Sequence, residues 1–242
     1  MLKVYLDNNI LVDIEDGRYA LEDFLAIPKL EYYYSDAHIA ELLNGVEKSI
    51  DGLKEKRLAT IKALCDNRFL VQDAPGYNKG FALCDPQQAY KNAKKNDYMR
   101  MNLNCLVSSN NFNRKEILED LNLNIKVVGN IDSSEILNVI DEKFRESKYR
   151  CSIYEYLIYS EAYTGRAIYS SLFNLLDMVG YRKDKNNVAR LYDSSHAYYA
   201  QLCDILVSND SRMRIKTKAA YHFLNVSTQV MDANEFLGVN KN

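Results

Sequence analysis

Lys3-Val4-Tyr5-Leu6-Asp7-Asn8-Asn9-Ile10-Leu11-Val12-Asp13-Ile14 carries the change of rhythm on which the fold turns. Residues 3–6 read as a short β-strand that stops at the turn-forming trio Asp7-Asn8-Asn9. Ile10, Leu11 and Ile14 then recur at helical spacing, so a strand hands over to a helix with an acid at the junction. Gly17 breaks that helix, and Ala20, Leu21, Phe24 and Leu25 mark another that Pro28 closes. Glu31-Tyr32-Tyr33-Tyr34 predicts a second strand, and Ser35-Asp36 caps a helix carrying Ile39, Ala40, Leu42 and Leu43. Gly45 is expected to end or bend that helix. A further helix spans about 52–65, and Phe69-Leu70-Val71 is a third strand.

The same rhythm returns near the C-terminus. A short helix is expected from Ser194 to Cys203, a strand over Ile205-Leu206-Val207-Ser208, a helix from about Ser211 to Leu224 and a strand from Val226 to Met231. Strands separated by helices predict an α/β domain with a central parallel sheet flanked by helices. The middle differs. Between Gln87 and Lys115 there is no Gly or Pro, and six basic residues stand against the single acid Asp97, with seven Asn. Ile136, Leu137, Ile140 and Phe144 mark an amphipathic helix, with Asp132 and Glu135 as its expected capping pair. Residues 151–179 read as one or two buried helices with a break at Thr164-Gly165. Residues 75–185 are therefore read as a helical insertion within a single domain spanning 1–242.

Composition narrows the function classes. The 242 residues carry a net charge of -2, which excludes a histone-like polybasic binder, so nucleic-acid contact requires a local patch. Lys3 and Asp7 interrupt any apolar run after Met1, so no signal peptide is expected, and no window reaches about 18 uncharged apolar residues, so no membrane span is expected either. Five scattered cysteines without a CxxC pair argue against a disulfide framework or zinc ribbon and for a reduced, cytoplasmic setting. No P-loop, Gly-x-Gly-x-x-Gly loop or Gly-x-Ser-x-Gly elbow appears, so no nucleotide cofactor is expected.

In an open parallel sheet, ligands gather at the carboxyl ends of the strands. Asp7 ends the first strand, Asp210 follows the strand beginning at Ile205, and Glu41 lies about 8 Å into the helix after the tyrosine strand. If the helix after Asp193 packs antiparallel to the next strand, Asp193 returns to the same end, whereas Asp204 falls at the far end. Four carboxylates in one cleft repel one another, and a hard cation such as Mg²⁺ or Mn²⁺ relieves that repulsion. Such an ion activates water and stabilises the oxygens of a phosphodiester under in-line attack.

The stretch 5–13 resembles the strand and Asp-Thr-Asn-Val-Leu opening of the PIN-domain nucleases, with Asn8 replacing Thr. Ser35-Asp36-Ala37-His38-Ile39-Ala40-Glu41-Leu42 resembles the segment bearing the family's second acid. Asp193 through Ala200 and Cys203 through Asp210 are similar to its third acid, short helix, strand and Thr-x-Asp ending, with Ser208 for Thr. The resemblance covers residues 1–72 and 185–237 and implies that Asp7, Glu41, Asp193 and Asp210 are catalytic metal ligands, supported by Asn9 and Ser208. It also implies an endoribonuclease acting on single-stranded RNA, in a toxin–antitoxin, defence or RNA-processing setting, and the insertion is the expected contact for an inhibitor protein or a second copy.

Simpler readings stand beside these. Asp7, Asp193 and Asp210 also suit a turn or a helix cap, and Glu41 an exposed helix face. His196, one turn after Asp193, either faces the cleft or is a packed histidine. Arg212, Arg214, Lys216 and Lys218 either grip a nucleic-acid backbone or form a solvated helix face. Lys94 and Lys95, in the basic run with Tyr90, Tyr98 and Phe112, either bind a single strand or belong to a polar loop. A structure-selective DNA nuclease with the same acids, or a non-catalytic RNA-binding or assembly module, are the alternative functions.

Overall fold

A computed structural model describes residues 1–47, 52–71, 80–95, 114–159, 165–184 and 187–238. Within it the chain divides into two compact units: Met1–Asn102, Tyr199–Asp210 and Ser227–Asn242 form the first, and Leu103–Tyr198 with Ser211–Val226 the second.

The first unit is built on a six-stranded sheet. Its strands are β1 (Leu2–Leu6), β2 (Leu30–Ser35), β3 (Arg68–Val71), β4 (Gly80–Leu83), β5 (Ile205–Val207) and β6 (Gln229–Met231), in the order β4-β3-β2-β1-β5-β6. All neighbours are parallel except β3 and β4. The α/β architecture with a mostly parallel sheet is thus as expected. The antiparallel β4 is not. Gly80-Phe81-Ala82-Leu83 is too short to show a period, and it falls where the sequence suggests only helices.

The parallel strands are linked by α1 (Asn8–Glu15) and α2 (Leu21–Leu25) between β1 and β2, and by α3 (Asp36–Glu47) and α4 (Leu53–Cys65) between β2 and β3. α5 (Pro86–Lys95) follows β4. Alternation of side chains across the pleat explains the packing. Val4, Leu6, Tyr32 and Tyr34 join Ile10, Leu11, Phe24, Ile39, Leu58 and Ile61 in one core, while Tyr5 and Tyr33 turn to the other face and are also buried. Burial on both faces is what a parallel sheet demands. The tyrosines keep their hydroxyls satisfied: Tyr32 donates to the Phe24 carbonyl at 2.7 Å and Tyr34 to that of Cys84 at 2.6 Å. Gly45 does not end α3. A Cβ there would stand 2.9 Å from Leu53 Cδ2, so the glycine admits the close approach of α4.

The second unit is helical among its described residues: α6 (Arg114–Asp120), α7 (Ile125–Val128), α8 (Ile136–Glu146), α9 (Ile153–Tyr159), α10 (Gly165–Val179), α11 (Asn187–Ala200, entering the first unit at Tyr199) and α12 (Ser211–Phe223). The amphipathic reading of α8 holds, with Ile136, Leu137, Ile140 and Phe144 buried. Its expected capping pair does not form, because the Asp132 carboxylate accepts from the backbone and hydroxyl of Ser134 instead. α10 is buried along Leu172–Leu176, and Thr164 of the expected Thr164-Gly165 break lies outside the described residues. α13 (Ala233–Phe236) closes the first unit, with the Asp232 side chain capping it. No helix among the described residues is long and apolar enough to cross a membrane.

Candidate active site at the carboxyl edge of the sheet

β1 ends in the ladder bond from the Asp7 N–H to the Val207 carbonyl at 2.8 Å, and Asp7 is the extended N-cap of α1. Asp7 as a residue is only 4% exposed. One carboxylate oxygen accepts the Asn8 N–H at 2.7 Å; the other accepts the Ser208 hydroxyl at 2.8 Å and the Asn9 side-chain amide. Ser208 Oγ is in turn the acceptor for Asn9 Nδ2 at 3.0 Å and for the Asp210 N–H at 3.2 Å. A fully buried hydroxyl thus ties the ends of β1 and β5 together around one carboxylate. Buried ionised groups require such donors.

Around this centre lies a second set of polar contacts. Asn9 Oδ1 accepts the Asn209 N–H at 3.0 Å, and Asn209 Nδ2 donates to the buried Asp13 carboxylate at 2.7 Å. Asn209 Oδ1 accepts the Ala233 N–H at 3.2 Å, joining the end of β5 to the start of α13. Asp13 also pairs with Arg18 at 2.7 Å. Arg57 of α4, only 3% exposed, engages Glu15 with Nε and with a terminal nitrogen at 3.1 Å, and donates to the Asn8 side chain beside Asp7. At the end of β2, Ser35 N–H donates to His38 Nδ1 at 3.1 Å. The proton of that ring therefore lies on Nε2, 2.8 Å from the Leu6 carbonyl. Tyr5 shares this network through Ser35 Oγ at 2.7 Å, and burial pushes its phenol well above the ordinary range.

The expected residues are distributed as follows. Asp7, Asn9 and Ser208 are in direct contact, and Asp210, exposed at the end of β5, joins them through its backbone. Glu41 is half-buried in the second turn of α3, which starts where β2 ends. Asp193 belongs to the second unit. The helix expected to begin at Ser194 begins at Asn187, so Asp193 stands mid-helix and is not a cap. His196 is fully buried in the same helix, and Arg212 is exposed and Arg214 half-buried on α12.

Lys216 requires correction as a phosphate-gripping residue. It is fully buried, 3.0 Å from Asp177 and ion-paired with Asp184, with Phe173 beneath its ammonium. Lys94 and Lys95 are exposed at the end of α5, whereas Tyr98 and Phe112 lie outside the described residues. The exclusion of Asp204 holds, since its carboxylate accepts the Lys3 N–H at the opposite edge, where β1 starts.

Among the described residues, no three His, Cys, Asp or Glu side chains form a ready-made metal cluster. The donors at this edge are nevertheless all oxygens, and Mg²⁺ is commonly held by one or two carboxylates completed by water and substrate phosphate. Asp7, already fixed by three donors, fits that chemistry. Sequence reasoning missed Asp13, Arg57 and Asn209, whose roles arise from partners such as those 49 and 196 positions away. Comparisons of the chain with family models, with curated proteins and with solved structures found no match.

Proposed function

We propose that the protein is a metal-dependent endoribonuclease that hydrolyses phosphodiester bonds in single-stranded RNA. The observation that carries the reading is the Asp7 carboxylate, buried at the junction of β1 and β5 and held by Asn9 and Ser208. Carboxyl ends of parallel strands are where open α/β sheets take ligands, and a fixed carboxylate there is a preorganised ligand for a hard cation. Asp7, Glu41 and Asp210 are the acids proposed to hold Mg²⁺ or Mn²⁺, with Asp193 as the fourth on sequence grounds. Bound there, the ion supplies water activated for in-line attack. Asn9 and Ser208 keep the Asp7 carboxylate in one orientation, and Arg57 steadies its neighbour Asn8. The choice of RNA, and of a toxin, defence or processing role, rests on the PIN-domain resemblance.

Cleavage of an end-labelled single-stranded RNA pool with Mn²⁺ or with EDTA tests this, with Asp7→Asn and Asp210→Asn in parallel and a matched DNA pool alongside. Metal-dependent cutting of RNA that both variants lose is the expected result. Cutting of the DNA pool alone replaces the substrate and keeps the site. No cutting of either pool, with no Asp7-dependent rise in melting temperature on adding Mn²⁺, refutes the nuclease reading and leaves a binding module.

A further inference from the structure

Two helices of the first unit bring lysines to one place. α4 precedes β3, which is parallel to β2, and therefore runs back toward the amino edge, so its first turns lie at the carboxyl edge. Arg57 demonstrates this, because it reaches Asn8, the residue after Asp7. Lys54 stands one turn before Arg57. α5 follows the antiparallel β4, whose last residue, Leu83, pairs with Arg68 at the start of β3. It returns toward the carboxyl edge, and its last turns carry Lys91, Lys94 and Lys95 on i, i+3 and i+4 positions. The two helices enclose a cleft of about 470 Å³ lined by these four lysines over a floor of Leu58 and Tyr90.

The charge balance of the cleft is lopsided. Lys54 pairs with Glu55 at 3.0 Å and also lies 5.7 Å from the Tyr90 ring centre. Among the described residues no carboxylate pairs with Lys91, Lys94 or Lys95. Lysines at a helix C-terminus are locally favourable in any case. That does not account for Lys54, which comes from the start of a different helix and faces the same cleft. An apolar floor under a cationic rim matches a nucleotide, with an uncharged base and a charged linkage on either side. The volume suits a small-molecule-sized group, hence one unstacked nucleotide and not a duplex.

We propose that this cleft seats one nucleotide of a single RNA strand, its flanking phosphates on Lys54 and the α5 lysines, on the path to Asp7. The proposal rests on the nuclease reading for its substrate, and binding is measured so that the two fail separately. A fluorescein-labelled single-stranded RNA is titrated in EDTA against the full chain carrying Asp7→Asn, alone and combined with Lys91→Gln, Lys94→Gln and Lys95→Gln. One nucleotide offers two flanking phosphates, and on a single strand each neutralised phosphate contributes about 0.7 to the slope of log affinity against log salt, so losing the α5 contacts to both flattens it by about 1.4. Taking 1 M salt as the point where the electrostatic contribution vanishes, affinity at 0.1 M falls about 25-fold.

Replacement of the same lysines by Arg retains binding, and a duplex of the same sequence binds more weakly than the single strand. All three substituted positions are exposed, so melting temperature is expected to stay unchanged. Loss of affinity in the Gln variant supports the cleft even when the wild type cuts nothing. An unchanged slope and affinity overturns it even when the wild type cuts RNA, as does a wild type with no RNA affinity in EDTA or one that prefers the duplex.

Discussion

Ser208→Ala isolates the hydroxyl that joins β1, β5 and the Asp7 carboxylate. In the wild type this oxygen donates to Asp7 and accepts from Asn9 and from the Asp210 N–H, at 2.8, 3.0 and 3.2 Å. The three losses are unequal. Asn9 keeps its bond to Asp7, and the Asp210 N–H belongs to an exposed residue that water can reach. The dominant loss is the bond to Asp7, since the carboxylate is buried and a hydrogen bond to a charged group contributes about 1.5–3 kcal/mol. Ser208→Ala is therefore expected to lower stability by about 2–3 kcal/mol. With an m-value of about 2–3 kcal/mol/M, the urea midpoint drops by roughly 1 M. Ser208→Thr retains the oxygen and adds one methyl at a fully buried position, for an overpacking cost of about 1 kcal/mol. Urea denaturation followed by circular dichroism separates the two, and RNA cleavage by the folded fraction is expected to fall further in Ser208→Ala than in Ser208→Thr. A Ser208→Ala protein within about 0.5 kcal/mol of wild type, or a Thr variant as damaged as the Ala variant, refutes the assignment of the effect to the hydroxyl.

Lys216→Met leaves Asp177 and Asp184 buried without the cation between them and is expected to cost about 3–5 kcal/mol; replacing both acids by Asn in the same protein recovers part of that, and urea denaturation checks it. In a Cys105→Ser background, Cys84 and Cys151 are expected to react with a thiol reagent before unfolding, while Cys65 and Cys203 react only with it. Both slow thiols are buried, and desolvation pushes Cys65 up to about 12 and Cys203 well above the ordinary thiol range. Mass spectrometry of the labelled sites decides the order.

Local chemistry made most of the first unit legible. Asp7 and Asn8 stop β1 and start α1 because a short side chain accepts a backbone N–H, and that signal sits within a few residues. The tyrosine strand and the α3 start at Ser35-Asp36 follow from spacing and a cap in the same way, whereas α4 starts after Gly52 without a side-chain cap. What failed was nonlocal. The start of α11 is the exception, since the helix already covers Asn187, seven residues before the expected start, and Val188, Leu191 and Tyr192 stand at helical spacing with Leu191 and Tyr192 buried. β4 has only four residues and gains its identity from pairing with β3. Lys216 sits in an alternating basic run that reads as a solvated or substrate-facing surface, and only the acids of α10 and of the segment after it turn it inward.

The candidate site divides along the same line. The sequence alone determined that acids end β1 and β5 and that a parallel sheet carries them to one edge, because strand direction and side-chain period are properties of short segments. Only the tertiary structure decided that Ser208 and Asn9 hold Asp7, that Arg57 steadies Asn8, and that Lys54 shares a cleft with the end of α5. Apart from the Asn9–Asp7 bond, which is local, each of those contacts closes a loop of 37 residues or more. No local propensity specifies such a closure, because its entropy is repaid only when the core of β-strands and helices packs as a whole.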